Sequence, residues 1–289
     1  MDAGFYGVPE PMDNSEQSEF WNGPTAHKWV RRWQELDAVL APLGDALLAR
    51  AAARPGARVL DVGCGHGTTS LALAEAVGER GHVLGLDLSD VILQVARQRQ
   101  PHDLGQLRFE ATDAAEHPLD AASWDLVVSR FGVMFFDDPV QAFRKFRHAL
   151  RPSGRLVFVC WQQLDHNPWM WTSIVAAKPH PPALSSQEAP DPESPGAFSF
   201  ADPARVRRIL TDAGFTQLRI EPLTPVLAVG PTPERAAEFI VEMGPVGAHM
   251  RDADDVDVAQ VVRAVADAYR GEDPSPRRAG AWLVSATAH

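Results

Sequence analysis

Seven consecutive residues, Asp61-Val62-Gly63-Cys64-Gly65-His66-Gly67, restrict the folds open to this chain more than any other stretch. They follow an apolar run, Arg58–Val62, that reads as a buried strand. They precede an Ala/Leu-rich run, Thr69–Val77, that reads as a helix. Glycines at such a turn remove the Cβ atoms that would keep a ligand away from backbone N–H and C=O groups. In an open α/β sheet, ligands bind at this place, outside the carboxyl ends of the strands.

The alternation then continues. His82–Asp87 reads as a second strand and Ser89–Gln100 as a helix with Ser89 at its N-cap. Leu107–Glu110 and Trp124–Ser129 read as the third and fourth strands. Pro139–Leu150 is a helix stopped by Arg151-Pro152-Ser153-Gly154, and Arg155–Trp161 is the fifth strand. Repeated βα units predict a doubly wound, mostly parallel sheet with right-handed crossovers.

The flanks divide the chain into four parts. Residues 1–53 form an N-terminal arm and helical cover, with Trp29, Trp33, Leu36, Val39 and Leu40 on one helix face and a break at Pro42 and Gly44. Residues 54–161 are the α/β core. Residues 162–202 are rich in Pro, Trp and Ser, show no clear period, and are expected to be a lid. Residues 203–289 complete the sheet, from an Asp202-capped helix over Pro203–Ala213 through strands at Phe215–Glu221 and Ala281–Thr287. A helical insertion occupies about 231–270.

Three further stretches stand at strand ends. Asp87, closing the second strand before Leu88 and Ser89, can accept hydrogen bonds from both ribose hydroxyls of an adenosine ligand. Thr112-Asp113-Ala114 follows the third strand, and Ser129-Arg130-Phe131 ends the fourth. A dinucleotide-binding enzyme would carry GxGxxG. Here the third glycine follows the second by one residue, with Thr68 where that pattern needs glycine.

Taken together, DVGCGHG, the Asp87 strand end, the Asp113 turn and the run WDLVVSRFGVMFFDDP resemble class I SAM-dependent methyltransferases (SAM, S-adenosylmethionine). The likeness is nearest to small-molecule enzymes of the bacterial ubiquinone/menaquinone-biosynthesis type. It covers Arg58 to Trp161 well and Pro203 to Glu221 fairly. It implies a Rossmann-like methyltransferase fold, a seven-stranded sheet whose last strand is antiparallel and supplied by Ala281–Thr287. It also implies SAM as cofactor, bound by Asp61, Gly63, Cys64, Gly65, Gly67, Asp87, Leu88, Thr112, Asp113, Ala114, Ser129 and Arg130. The FWNGPTAHKW stretch looks like a segment that closes over the cofactor in some relatives, which would add Trp29.

The expected reaction is methyl transfer to an O, N or C atom of a small metabolite. Trp161, Trp169, Met170 and Trp171 point to a hydrophobic or aromatic acceptor. His166 and His27 are the candidates for a general base. A SAM-binding protein with another chemistry, and an NAD-dependent oxidoreductase, remain as alternatives. Asp137 and Asp138, before Pro139, read as a helix cap rather than metal ligands, so no metal is expected. Net charge is −11 and the longest arginine clusters are pairs, which argues against a nucleic-acid substrate. The acidic N-terminus lacks a signal-peptide pattern, no apolar run is long enough to span a bilayer, and there are two cysteines. A soluble cytoplasmic protein is expected, with oligomeric state left open and a homodimer among the options.

Overall fold

The computed structural model describes residues 14–179, 194–249, 257–270 and 277–289. Three helices open it: α1 (Asn14–Asn22), α2 (Pro24–Arg31) and α3 (Trp33–Ala51). The core runs β1 (Arg58–Val62), α4 (Thr68–Val77), β2 (His82–Asp87), α5 (Asp90–Arg99), β3 (Leu107–Ala111), β4 (Trp124–Arg130), α6 (Pro139–Ala149) and β5 (Leu150–Trp161). Then come α7 (Pro168–Ala177), α8 (Pro203–Asp212), β6 (Thr216–Leu223), α9 (Pro233–Met243), α10 (Pro245–His249), α11 (Val258–Ala268) and β7 (Ala281–Thr287).

The seven strands form one sheet in the order β3-β2-β1-β4-β5-β7-β6. β1 to β5 are parallel, and β7 is antiparallel to both β5 and β6. The chain order reverses between β1 and β4, and their carboxyl ends open the crevice in which such sheets bind ligands. Val59, Leu60, Val127, Val128, Leu156, Val157 and Phe158 are fully buried, as parallel strands covered on both faces must be.

Local chemistry sets several boundaries as expected. Ser89 caps α5 by accepting from the Ile92 N–H (3.1 Å), and Asp202 caps α8 through the Ala204 N–H (2.8 Å). Asp138 caps α6 through the Gln141 N–H (2.9 Å).

Three expectations need correction. Pro42 and Gly44 do not break the first helix, because α3 runs straight through both. Leu36, Val39, Leu40, Leu43 and Leu47 make one buried stripe against the sheet, and that burial outweighs the proline's lost hydrogen bond. Arg151–Gly154 lies within β5, at a register shift where β4 pairing jumps from Leu150 to Arg155. Residues 168–177 are helical rather than irregular. PWMWTSIVAA is apolar almost all round, so it has no polar face to reveal a period. The first thirteen residues of the expected arm and residues 180–193 of the expected lid lie outside the described residues.

Outside the sheet, α7, α9, α10 and α11 pack on one another, and α2 reaches across to α9. Arg31, the last residue of α2, and Arg32 just after it hold Glu242 of α9, at 3.1 and 2.8 Å. The cover and the helical lobe therefore meet above the carboxyl edge of the sheet. No described helix is long and apolar enough to cross a membrane.

Candidate cofactor and acceptor site

A cavity of about 340 Å³ lies along that edge. Its floor is the row of strand ends set by the sheet order: Thr112, Asp113 and Ala114 after β3, Asp87 and Leu88 at β2, Gly63 and Gly65 after β1, Arg130 at β4. Its roof comes from α1 and α2, with Phe20, Trp21 and Trp29. The far wall is apolar: Phe131, Met134, Phe135, Trp161, Trp169, Met170, Phe198, Phe239 and Met243.

The glycine loop is shaped by backbone constraints. Gly63, Gly65 and Gly67 all have positive φ, at 65°, 55° and 79°. A Cβ on Gly63 would lie 2.6 Å from the Gly132 Cα, so the glycine there is a packing requirement between two backbones. Gly65 differs, since a Cβ on it would meet no protein atom within 4 Å. It lines the cavity, and its missing side chain keeps open a cradle that a ligand can enter.

Asp87 stands at the rim with both oxygens oriented. One accepts the Gly65 N–H (2.8 Å), the other the Ser89 N–H (2.9 Å). Burial pushes its carboxyl up, against the pull of those two N–H groups. Each oxygen keeps a further lone pair for a hydroxyl group. The cradle at Gly65 and the aligned carboxylate beside it fit the adenosyl group of SAM.

Asp61, Cys64, Gly67 and Ser129 support this loop and do not line the cavity. Asp61 is fully buried and accepts from the Ser70 hydroxyl (2.6 Å), while its other oxygen has no partner. Burial raises its carboxyl to about 6. Cys64 packs on Leu93, Ala96 and Phe109, and burial raises its thiol strongly. A Cβ on Gly67 would lie 2.8 Å from the Phe109 ring and 2.9 Å from the Ala96 Cβ. The Ser129 hydroxyl accepts from the N–H groups of Gly132 (3.0 Å) and Val133 (3.2 Å), which fixes the turn after β4.

Neither histidine expected as a base reaches the cavity. His27 and His166 are exposed and absent from its lining, and the His166 ring instead pairs with the Gln162 side chain at 3.1 Å. Both lie close in sequence to the cover and the lid, but neither side chain turns into the cavity. On α2, His27 falls on the outward side, while Thr25 and Ala26 are buried. Trp171 likewise stays off the lining, whereas Phe135 and Phe136 both line it.

Asp37 on α3 carries no motif of its own, yet it joins three parts of the site. Arg130 Nη2 donates to one of its oxygens (3.0 Å), and Arg99 Nη1 (2.9 Å) and the Thr68 hydroxyl donate to the other. Burial alone would raise Asp37, but the Thr68 hydroxyl and the two guanidinium groups hold it below the usual carboxylate range. The one available hint is spacing, since Asp37 lies three residues from Leu40 and seven from Gly44, flanking the buried stripe. His66, inside the glycine loop, is buried beside Trp29, with ring centroids 6.3 Å apart. Burial pushes its imidazole down to about 4, so it is neutral at physiological pH.

Comparison with known proteins agrees with this geometry. Residues 59–154 match the methyltransferase domain family. The chain is 34% identical over 105 residues to demethylmenaquinone methyltransferase of Bacillus cereus, a match covering 36% of this chain and 44% of that protein. The Staphylococcus haemolyticus enzyme of the same name is 27% identical over 174 residues, covering 58% and 72%. Among solved structures, the [4+2]-cyclase SpnF has the same fold, with a TM-score of 0.52 at 21% identity, covering 85% and 80%. The match to a methyltransferase domain speaks for SAM as the cofactor and against the nicotinamide alternative. Residues 59–154 thus carry a methyltransferase domain, and the chain, which spans less than half of the first of these relatives, resembles the enzymes of menaquinone biosynthesis over that stretch.

Proposed function

We propose that this enzyme transfers a methyl group from SAM to an oxygen, nitrogen or carbon atom of a small hydrophobic or aromatic metabolite. The carrying observation is one continuous cavity, with the glycine loop and Asp87 at one end and Phe131, Trp161, Trp169 and Met170 at the other. SAM brings a sulfonium-bound methyl group together with its own leaving group. The chain's task is to hold the acceptor against that methyl and to exclude water, and orientation alone supplies large accelerations. Stacked Phe131 and Trp161 (4.0 Å between centroids) offer a flat apolar face for an aromatic acceptor.

Among the described lining residues none is a histidine. Burial would raise Glu242, but Arg32 and Arg31 outweigh it and hold the carboxylate below its usual range, which makes it a weak base. We therefore assign the acceleration to proximity and desolvation, acting on an acceptor that is itself a good nucleophile. The division into arm and cover (1–53), core (54–161), lid (162–202) and completing lobe (203–289) belongs to the same reading. So do a cytoplasmic location and a small-molecule rather than nucleic-acid acceptor, consistent with the net charge of −11.

The test is incubation with SAM and a panel of phenols, quinols, amines and enols, followed by mass spectrometry. A product heavier by one methylene, with matching S-adenosylhomocysteine, supports methyl transfer. A fold can host unrelated reactions, as the cyclase of the same architecture illustrates. An acceptor converted without S-adenosylhomocysteine would move this chain to that second class.

A further inference from the structure

We infer that Arg130 is the counter-ion of the cofactor's α-carboxylate, and that Asp37 is the residue that positions it. The inference rests on SAM occupying the cavity described above.

The sheet order lays Asp113, Asp87, Gly63 and Arg130 in a row, at the ends of β3, β2, β1 and β4. An elongated ligand with its ribose on Asp87 and its adenine toward Asp113 brings its amino-acid end to β1 and β4. There Arg130 stands, with its side chain 12% exposed and on the cavity lining. Its chain passes beside Gly44 of α3, where a Cβ would lie 3.4 Å from Nη1 and 3.8 Å from Cδ.

Its hydrogen bonding is incomplete. Among the described residues only Nη2 has an acceptor, the Asp37 carboxylate, which leaves Nε and Nη1 without one. Arg99, the other guanidinium on Asp37, is not on the cavity lining. Its Nη1 reaches Asp37, the His66 carbonyl and the Thr68 hydroxyl, and its plane lies 4.2 Å over the Trp33 ring. Asp61 makes no hydrogen bond to Arg130 and turns to Ser70 instead. A guanidinium with N–H groups to spare at a cavity matches a carboxylate, which can take a charge-assisted hydrogen bond from Nη1 or Nε. The other cation on the lining, Lys28, sits in the roof on α2.

The experiment compares binding of S-adenosylhomocysteine with its decarboxylated analogue, which lacks only the carboxylate, by isothermal titration. Wild-type protein is expected to prefer the intact ligand by about tenfold to a hundredfold, the range for a hydrogen-bonded charge pair. Arg130→Met should bring the two affinities within about twofold by weakening the intact ligand alone. Arg130→Lys, which keeps the charge, should give an intermediate preference. Asp37→Asn makes the neighbourhood more positive, so charge alone would strengthen carboxylate binding. Positioning predicts the reverse, a reduced preference with the analogue unchanged.

Equal wild-type affinities, or a preference that survives Arg130→Met in protein with native circular dichroism, would overturn the assignment. A preference lost in Lys28→Met instead would overturn it in favour of the roof. Parallel weakening of both ligands in Asp37→Asn would make Asp37 only a support of the glycine loop. Failure of both ligands to bind wild-type protein would instead refute the cofactor site itself.

Discussion

The two ends of the cavity are built by opposite means. At the β1–β3 end, the contacts come from backbone at two glycines and from carboxylates held by backbone N–H groups, all within residues 63–114. At the β5 end, the wall is made largely of ring and thioether side chains drawn from strand, turn, helix and loop segments between 131 and 247, with no shared pattern. The first end is a matter of angles and close approach, and tolerates almost no change. The second is a matter of volume, and many side chains could fill it. On the proposed reading, a cofactor common to a whole class meets the rigid end, and an individual acceptor the adjustable one.

The sharpest test of that contrast sets Gly63→Ala against Gly65→Ala. At Gly63 the new Cβ would meet the Gly132 Cα at 2.6 Å with φ at 65°, and backbone cannot yield as a side chain can. We expect a loss on the order of 3 kcal/mol or more and no measurable SAM binding by titration. Gly65→Ala should cost only about 1 kcal/mol, since nothing opposes the Cβ, yet still weaken SAM. Equal damage from both would show that the loop fails by strain and not by crowding.

At the adjustable end, Trp169→Ala removes a ring that is 7% exposed and hydrogen-bonded to Asn167 Oδ1 at 3.1 Å. Stability should fall by about 3 kcal/mol in denaturant titrations, while affinity for SAM stays within about twofold. A large change in SAM affinity would mean that the two ends are not separable.

His66 makes the rigid end sensitive to acid. Its folded pKa, about 4, lies below its ordinary value of 6.5, so the unfolded chain takes up the proton first. Its contribution is present above pH 6.5 and is lost as pH falls from there towards 4, on the order of 3 kcal/mol in all. Asp61, raised to about 6, works in the opposite sense over much of this window. The His66→Asn variant therefore isolates the histidine: its stability at pH 5 relative to pH 7 should exceed that of wild type. An identical pH profile would show that the imidazole titrates normally.

Asp87→Ala removes the carboxylate at the ribose position and should weaken SAM about tenfold to a hundredfold in titrations, leaving Trp169-dependent stability alone. The smallest effect expected is at the join between the two halves. Glu242→Gln loosens partly exposed ion pairs to Arg31 and Arg32, and should cost about 0.5–1 kcal/mol, less at high salt.

The same contrast explains what could be read from the sequence. Strands β1, β2 and β4 were readable because parallel strands covered on both faces are apolar runs, and the glycine loop because its shape leaves no other residue at Gly63. β7 matched the expected Ala281–Thr287. Helix α7 was not readable, since burial on several sides erases the alternation that marks a helix. Asp37 carries no sequence signal because its role depends on Arg99, Arg130 and Thr68, which lie far away in sequence. The two histidines were placed by proximity along the chain, and proximity does not say which side of a helix faces inward.

One buried side chain, next in sequence to helix α7, ties together distant parts of the chain. Asn167 donates to the carbonyls of Gln162, Gln163 and Gly280, and accepts from the Gly280 N–H and the Trp169 indole. Gly280 leads directly into β7, which follows every other strand in the sequence and slots between β5 and β6. During synthesis, the five parallel strands and the glycine loop emerge well before this partner exists. The half that carries the glycine loop can therefore assemble while the other half still waits for its last strand.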